Sequence, residues 1–291
     1  MIHSHEKGQT LLIVVLVMVV SLTIGLSVAS RSITNLRTTT EEENSQRAFS
    51  AAEAGIEQVL KKNTEITELP LGNNTSIKKA KPTDIGGSEF LLNSGNLVSK
   101  DDGADVWFVA HNSDGTLNYT SGWQQLAGDA KLTVYWGSSA DVCDRDVAKN
   151  TMAGIEIIVI SGSNGNPVTT RYAVDPCANR RSSNAFSTED ETGLYNVPQS
   201  PPNKTFRYRK TIDIRNTSKG IVVRIVPLYA ASPIGVKGCS FNSSQSCNEF
   251  PSQGKRIEST GTSGGTDRKV TFLRGYPKLP SEFFGYILFS P

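Results

Sequence analysis

An uncharged apolar run near the start of the chain constrains the fold more than any other feature. From Gly8 to Ser30 there is no charged side chain, and 15 of the 19 residues from Leu11 to Ala29 are Leu, Ile, Val, Met or Ala. A run of this length crosses a bilayer core of roughly 30 Å as a helix. The run therefore predicts a transmembrane helix over residues 10–30.

The helical pattern continues beyond the apolar run. Residues 31–62 contain no proline and a single glycine, so no strong helix-ending signal occurs in this stretch. Four apolar residues recur there at steps of 3, 4 and 3, the spacing of one helical face. They are Phe49, Ala52, Ile56 and Val59. The sequence predicts one helix over residues 9–62, apolar all round at first and amphipathic later, and roughly 75 Å long.

Two short motifs, one before the apolar run and one after it, carry a family resemblance. A charged leader ends at Lys7-Gly8 and is followed directly by Gln9-Thr10, which resembles a prepilin peptidase site. Residues 47–55 read Arg-Ala-Phe-Ser-Ala-Ala-Glu-Ala-Gly and are similar to an AF-AAE-A signature. Together these motifs resemble those of type IV minor pilins and pseudopilins of the PilX-like group.

The resemblance implies an α+β, pilin-like fold, in which the second half of the long helix packs on an antiparallel β-sheet domain. It implies that residues 1–8 are a prepilin leader, that prepilin peptidase cuts after Gly8, and that Gln9 becomes the methylated first residue. The implied partners are other pilin or pseudopilin subunits, an inner-membrane assembly platform and the membrane. The implied location is the inner membrane, as a single-pass protein, and then an extracellular filament at the cell surface.

Two positions depart from the pattern of major pilins. Those proteins begin the mature chain with Phe and carry Glu at its fifth position, whereas this chain has Gln9 and Ile13. In the family that carboxylate neutralises the terminal amine of a neighbouring subunit, and an unpaired charge in lipid is costly. Its absence favours a scarce structural or assembly subunit, at a tip or in priming, over a shaft subunit that polymerises in bulk. An enzyme is not expected.

Small and charged residues of the helix are candidates for contacts between subunits. Glu53 lies among Ala and Gly, so another backbone can approach it and a basic group can pair with it; a plain surface carboxylate is the alternative. Gly25 either permits close packing of helices or is an ordinary glycine of a membrane helix. The candidate assembly residues are Ile13, Gly25, Phe49, Ala52, Glu53, Gly55 and Ile56.

All four cysteines follow the apolar run: Cys143, Cys177, Cys239 and Cys247. An even number in an exported domain predicts disulfides, and four cysteines allow three pairings. We favour Cys239 with Cys247, around a short polar loop, and Cys143 with Cys177, around a longer excursion. A zinc site is the competing interpretation, but the chain has no Cys-x-x-Cys and only His111 beyond the leader.

Charge and motif content argue against nucleic-acid binding and catalysis. With 30 basic and 28 acidic residues the formal charge is +2, so no strong attraction to nucleic acid is expected, although the basic cluster 207–210 keeps it as a minor alternative. The chain has no Gly-x-Ser-x-Gly, P-loop, dinucleotide or His-Glu-x-x-His motif. The acidic clusters 141–146 and 189–191 lack the EF-hand spacing, so no cofactor or metal is expected.

The orientation in the membrane is inferred from several features and not from charge alone. Glu6, Lys7 and the amino terminus precede the apolar run, while Arg31 and Arg37 follow it, so positive charges do not by themselves place the N-terminus inside. Three features together favour an N-in, C-out orientation: the leader, the cysteines, and a composition typical of an exported domain after the apolar run.

The rest of the chain is predicted to be β-rich. Residues 63–104 have the turn signals of a polar connector, with a brief strand at 89–92. Residues 105–291 are predicted to form the extracellular β-domain, with 141–203 as a candidate insertion. The predicted strands are 106–109, 131–136, 155–160, 168–174, 205–214, 221–228, 256–260, 269–273 and 283–289. Hairpins are expected to join 155–160 with 168–174, 205–214 with 221–228 and 256–260 with 269–273; residues 176–203 are expected to be a surface loop.

A surface binding protein or adhesin is the alternative function. Ser27-Val28-Ala29, before Ser30, resembles the small-residue site of a signal peptidase, and cleavage there would release a secreted binding protein. Against this, the apolar run is longer than a usual signal core and the helical pattern continues past the cut. A membrane-anchored adhesin or enzyme that never polymerises would instead keep Met1.

Overall fold

Helix α1 is the longest element and runs without interruption from Glu6 to Lys62. The structure is a computed structural model, and it describes residues 6–112, 114–122, 130–144, 146, 148–163, 166–197, 203–214, 220–241 and 247–277. The 57 residues of α1 correspond to about 85 Å at 1.5 Å per residue. The prediction of one long helix is confirmed.

The other elements are short, and most of them are strands. In chain order they are β1 (Ile66–Gly72), β2 (Thr75–Asp84), β3 (Glu89–Leu91), a 3₁₀ turn (Leu92–Gly95), β4 (Ala104–Trp107), β5 (Val109–His111), β6 (Leu117–Gly122), β7 (Ala130–Trp136), β8 (Gly154–Ser163), β9 (Asn166–Val174), α2 (Ala178–Asn184), β10 (Glu191–Val197), β11 (Lys204–Asp213), β12 (Gly220–Leu228), β13 (Ile234–Phe241), β14 (Cys247–Asn248), β15 (Gly254–Ser263) and β16 (Thr266–Gly275).

These elements form two compact units, each described here by itself. The helix–sheet unit contains the described residues of 1–83 and 256–272, and the β unit contains those of 84–255 and 273–291. In the helix–sheet unit, a four-stranded sheet has the order β1-β2-β15-β16. The hairpin predicted for 256–260 and 269–273 is present as β15 and β16.

Two tight turns connect the strands of the helix–sheet unit. Asn73 and Asn74, between β1 and β2, have φ angles of 49° and 55°. Gly264 and Gly265, between β15 and β16, have φ angles of 55° and 84°. Positive φ at both central residues is the requirement of a type I′ turn, and Asn and Gly meet it at least cost. Local sequence therefore accounts for both hairpins.

A stripe of small and apolar residues joins α1 to this sheet. Ile56 and Val59 pack with Ile77, Ala80 and Ile257 of the sheet, and the buried positions of the helix recur at the spacing of one helical face. They are Ala48, Ala51, Ala52, Gly55, Ile56 and Val59. The face is centred differently from the prediction: Phe49 lies at its edge and is 46% exposed, because Ala48 occupies the position facing the sheet.

Glycines bring the helix and the sheet unusually close together. A Cβ at Gly261 would lie 2.5 Å from the Ala52 nitrogen and 2.8 Å from the Ala51 Cβ, and closer still to the Ala48 carbonyl oxygen. A Cβ at Gly55 would collide with the Ser259 hydroxyl. The two backbones therefore approach more closely than side chains at these positions would allow.

The predicted connector over residues 63–104 was wrong. This stretch contains β1 and β2, which form half of the sheet under the helix, and the brief strand β3. Turn residues at short intervals suggested a loop, but two of them, Asn73 and Asn74, make a hairpin turn. The sheet that contacts the helix therefore comes from both sides of the predicted β-domain boundary.

The described residues of the β unit form three sheets. One has the order β10-β11-β7-β13-β14, with β3 also paired to β13; the second has the order β4-β12-β8-β9; the third pairs β5 with β6. Apolar residues of the first two sheets share one core, as in a β-sandwich. Trp136 is fully buried there and donates its indole N–H to the Ala153 carbonyl at 3.0 Å.

Strand pairing in the β unit differs from the prediction in one hairpin. β8 and β9 form the expected hairpin. β11, however, pairs with β10 and β7, while β12 lies between β4 and β8. β12 is buried along most of its length, as a central strand is, whereas β11 alternates and is covered on one face. The two consecutive strands therefore belong to different sheets.

Two further expectations are corrected in the β unit. Residues 176–203 contain helix α2 and strand β10, so this stretch is not simply a surface loop. The strand predicted at 106–109 is divided into β4 and β5, with the buried Phe108 between them. The strand predicted at 283–289 lies outside the described residues.

Candidate functional site

The first half of α1 is an apolar surface that nothing in the described structure covers. Every residue from 11 to 43 is exposed. The large apolar side chains of this segment include Ile13, at 58% exposure, and Met18, at 68%. Monomeric soluble proteins rarely expose contiguous apolar patches beyond a few hundred Å². By length and composition α1 is suited to cross a membrane.

Gly25 produces a shallow depression on this surface. A Cβ added at Gly25 would meet nothing within 4 Å, so the position is open. The depression is lined by Val17, Met18, Ser21, Leu22, Gly25 and Leu26. Small residues at such a position let a second helix approach closely in lipid.

The other candidate assembly residues divide into two groups. Ala52, Gly55 and Ile56 are buried against the sheet of their own unit, and this packing accounts for their small or apolar character. Phe49 and Glu53 are exposed on the helix surface. Gly8 and Gln9 lie in the first turns of α1, and the surroundings of their side chains are outside the described residues.

One of the two favoured disulfides is present. Cys143 and Cys177 are bonded, with their Cα atoms 5.6 Å apart. Cys239 lies in β13 and Cys247 in β14, two strands that pair with each other, but their side chains are outside the described residues. The favoured Cys239–Cys247 pairing therefore stays a prediction.

A buried carboxylate next to Cys177 was missed from the sequence. Asp175 is 0% exposed and accepts hydrogen bonds from the Cys177 N–H at 2.9 Å and from Asn184 Nδ2 at 2.9 Å. Arg180 donates two further bonds to it, from Nε at 2.9 Å and from Nη2 at 2.7 Å. We call Asp175, Arg180 and Asn184 the clasp. The available signal was an acidic residue directly after a predicted strand and two positions before a cysteine.

The clasp has a pH dependence that can be measured. Burial by itself raises the pKa of Asp175, but the hydrogen bonds from Arg180, Cys177 and Asn184, with the charge of Arg180, bring it below its ordinary value. A lowered folded-state pKa stabilises the fold above the unfolded value of about 3.9, and the stabilisation disappears as pH falls through the folded value.

We therefore expect wild type to lose stability faster than Asp175→Asn as the pH falls below about 4. Urea midpoints of both proteins between pH 7 and pH 2 measure this. Other carboxylates titrate in the same window and are common to both proteins, so the difference between the two curves isolates Asp175. Parallel curves would contradict the assignment.

The remaining polar candidates have local structural roles. His111 stacks on Tyr276 with ring centroids 3.6 Å apart, lies nearly perpendicular to the Trp107 ring, and has its pKa lowered by burial. In the acidic cluster, Asp141 and Asp144 accept backbone N–H bonds within their own turns. Among the described residues, no group of three or more His, Cys, Asp or Glu side chains is placed to hold a metal ion.

The described chain is thus an α+β protein with one long helix, apolar and exposed at its front and packed on an antiparallel sheet at its rear. Comparison with protein-family models, with curated proteins and with solved structures finds no match for the chain. A function for the chain is therefore inferred from the chemistry of the helix and of the residues around it.

Proposed function

We propose that this chain is a minor type IV pilin or pseudopilin, a low-abundance structural or assembly subunit of a pilus or of a filament like that of type II secretion. The observation that carries the proposal is the continuity of α1. In this one helix the front segment, residues 11–30, needs an apolar environment, and the rear segment, residues 48–59, packs on the sheet of its own unit. Such a helix can move from lipid into a bundle of like helices without refolding.

The surface of the front segment supports a role in assembly. The apolar side chains surround the helix on all sides, so both lipid and neighbouring helices satisfy it. Gly25 provides a position at which a second helix can approach. Ile13, in the place of the family's carboxylate, offers no partner for a neighbour's terminal amine, which suits a tip or priming subunit better than a shaft subunit.

The proposed partners follow from this role. Prepilin peptidase would cut after Gly8, an inner-membrane platform would extract the subunit, and other pilin or pseudopilin helices would receive it. The N-terminus would face the cytoplasm and the sheets would face outward. The Cys143–Cys177 disulfide is consistent with a domain that matures outside the reducing cytosol.

The proposal predicts that the mature chain begins at Gln9, with a methylated amine. Intact-mass measurement of the protein from its host tests this, with a host lacking prepilin peptidase as the first control. Gly8→Val should leave the leader attached. Ala29→Leu, which removes the small residue needed by a signal peptidase, should leave the Gln9 terminus unchanged.

The other outcomes identify the alternative functions. A chain that begins at Ser30, and is blocked by Ala29→Leu, would be a secreted surface binding protein, because cleavage there removes the apolar front. A chain that keeps Met1 and does not copurify with filaments would be a membrane-anchored adhesin. Either result overturns the filament subunit.

A further inference from the structure

The segments that the Cys143–Cys177 disulfide joins are also joined by the clasp. Cys143 lies in the connection between β7 and β8, and Cys177 is the residue that precedes α2. Arg180, on α2, donates Nη1 to the Asn150 side-chain oxygen at 2.6 Å and Nη2 to the Met152 carbonyl at 3.0 Å. The same guanidinium binds Asp175, so one side chain connects both cysteine-bearing segments.

The clasp orients Cys177. A cysteine is a poor N-cap, and Cys177 makes no side-chain cap hydrogen bond to α2. Asp175 instead holds its N–H, while the Cys177 carbonyl accepts the N–H groups of Arg180 and Arg181 at 3.1 and 3.2 Å. Arg181 also donates to the Asp175 carbonyl at 2.7 Å. The backbone of Cys177 is therefore held on both sides by groups other than the disulfide.

The segment carrying Cys143 is oriented in a matching way. Its neighbour Val142 donates its N–H to the Thr151 hydroxyl at 2.8 Å, and the Val142 carbonyl accepts the N–H groups of Thr151 and Met152 at 3.0 and 3.1 Å. Met152 is also the residue whose carbonyl accepts from Arg180. A continuous series of hydrogen bonds thus runs from the backbone of one cysteine to the neighbour of the other.

The Arg180 guanidinium is held in a fixed position. It lies over the Tyr229 ring, 4.3 Å from the centroid, and Asn184 donates both to Asp175 and to the Tyr229 hydroxyl. A bidentate Arg–carboxylate pair in a buried site has strong directional preference. These contacts require no sulfur atom, so they can form while both thiols are reduced.

We propose that the clasp is a template for oxidation: it forms in the reduced chain and directs Cys143 to Cys177 rather than to Cys239 or Cys247. In the step itself, a cysteine thiolate attacks a small disulfide oxidant such as oxidised glutathione and releases one glutathione thiolate. The second cysteine thiolate then displaces the other glutathione. The two cysteines lose two electrons and two protons overall, and the oxidant is reduced to two thiols. This inference does not depend on the proposed function.

The test follows the pairing of all four cysteines. The full chain in detergent is reduced, reoxidised in a glutathione buffer, quenched by acid and alkylation, and digested for mass spectrometry of the linked peptides. For Asp175→Asn we expect the rate of Cys143–Cys177 formation to fall about tenfold, with cross-pairings to Cys239 and Cys247 taking its place. Arg171→Met, which breaks the Arg171–Glu156 pair on β8 and β9, is the control and should reoxidise like wild type.

Two further variants keep the test decisive if Asp175→Asn does not fold. Asn184→Ala removes one of the hydrogen bonds to Asp175 and should slow correct pairing about threefold. In the double variant Cys143→Ser, Cys177→Ser, the backbone N–H groups at position 177 and at Thr151 should still be protected from hydrogen exchange. Unchanged pairing in Asn184→Ala would show that the clasp does not direct the pairing. Loss of that protection in the double variant would show that the disulfide creates the clasp, and either result would overturn the proposal.

Discussion

Gly261→Ala is expected to lower the free energy of unfolding of the helix–sheet unit by about 3 kcal/mol. The added methyl would occupy space held by the Ala48 carbonyl oxygen, the Ala52 nitrogen and the Ala51 Cβ. Two of these atoms belong to the helix backbone and cannot rotate away, so α1 must move off the sheet. Hydrogen exchange of the helix segment 48–59, measured on the full chain in detergent, reports the local free energy directly.

Two other glycines provide graded controls for this result. Gly55→Ala meets chiefly the Ser259 hydroxyl, which can rotate, and alanine is the better helix former, so a net loss of about 1 kcal/mol is expected. A Cβ at Gly275 would meet nothing within 4 Å, so helix segment 48–59 of Gly275→Ala should show the hydrogen exchange of wild type. If Gly261→Ala proved as mild as Gly275→Ala, the close approach of helix and sheet would be refuted.

Asp105→Ala is expected to destabilise the β unit by about 3 to 5 kcal/mol. Arg224 donates Nε and Nη2 to the two carboxylate oxygens of Asp105, at 2.8 and 3.0 Å. The two side chains are 5% and 4% exposed, so removing the carboxylate deprives a buried guanidinium of both of these charged hydrogen bonds. Urea unfolding followed by tryptophan fluorescence measures the change, because Trp107 and Trp136 both lie in the β unit.

The matched control for Asp105→Ala removes both charges. A buried ion pair is often replaced by apolar residues at little cost, because the desolvation penalty disappears together with the attraction. Asp105→Leu combined with Arg224→Met should therefore recover most of the stability lost in Asp105→Ala. A double variant less stable than the single one would indicate that the other contacts of Arg224 dominate, against this account.

Periodicity predicted the elements that depend on neighbouring residues. The absence of proline and the apolar run predicted α1, and alternation predicted the half-buried β11, whose Phe206, Tyr208 and Ile212 are buried. The Gly-rich turn predicted the hairpin of β15 and β16. In each case the determinants lie within a few residues of one another, where backbone preference and side-chain direction are set locally.

Tertiary contacts overruled the expectations that depended on proximity along the chain. β11 and β12 were expected to pair, but β4 and β8 occupy the two edges of β12, so no edge of β12 is left for β11. Phe49 fits the spacing of the buried face, yet only the small Ala48 fits where the sheet approaches. Neither outcome can be derived from residue spacing alone, because each depends on contacts with residues that are distant in the sequence.

The sequence by itself determined the long helix, its apolar front and the candidates for disulfide pairing, because hydropathy, helix-breaking residues and cysteine number are properties of the linear chain. Only the tertiary structure decided which strands cover the rear of the helix and which polar groups surround Cys177. Asp175 and Arg180 lie in one segment and Asn150 in another, and the hydrogen bond from Arg180 to Asn150 exists only once the two segments are folded together. A hydrogen bond is made or lost when its donor–acceptor distance changes by a few tenths of an ångström, and the order of residues does not specify distances so finely.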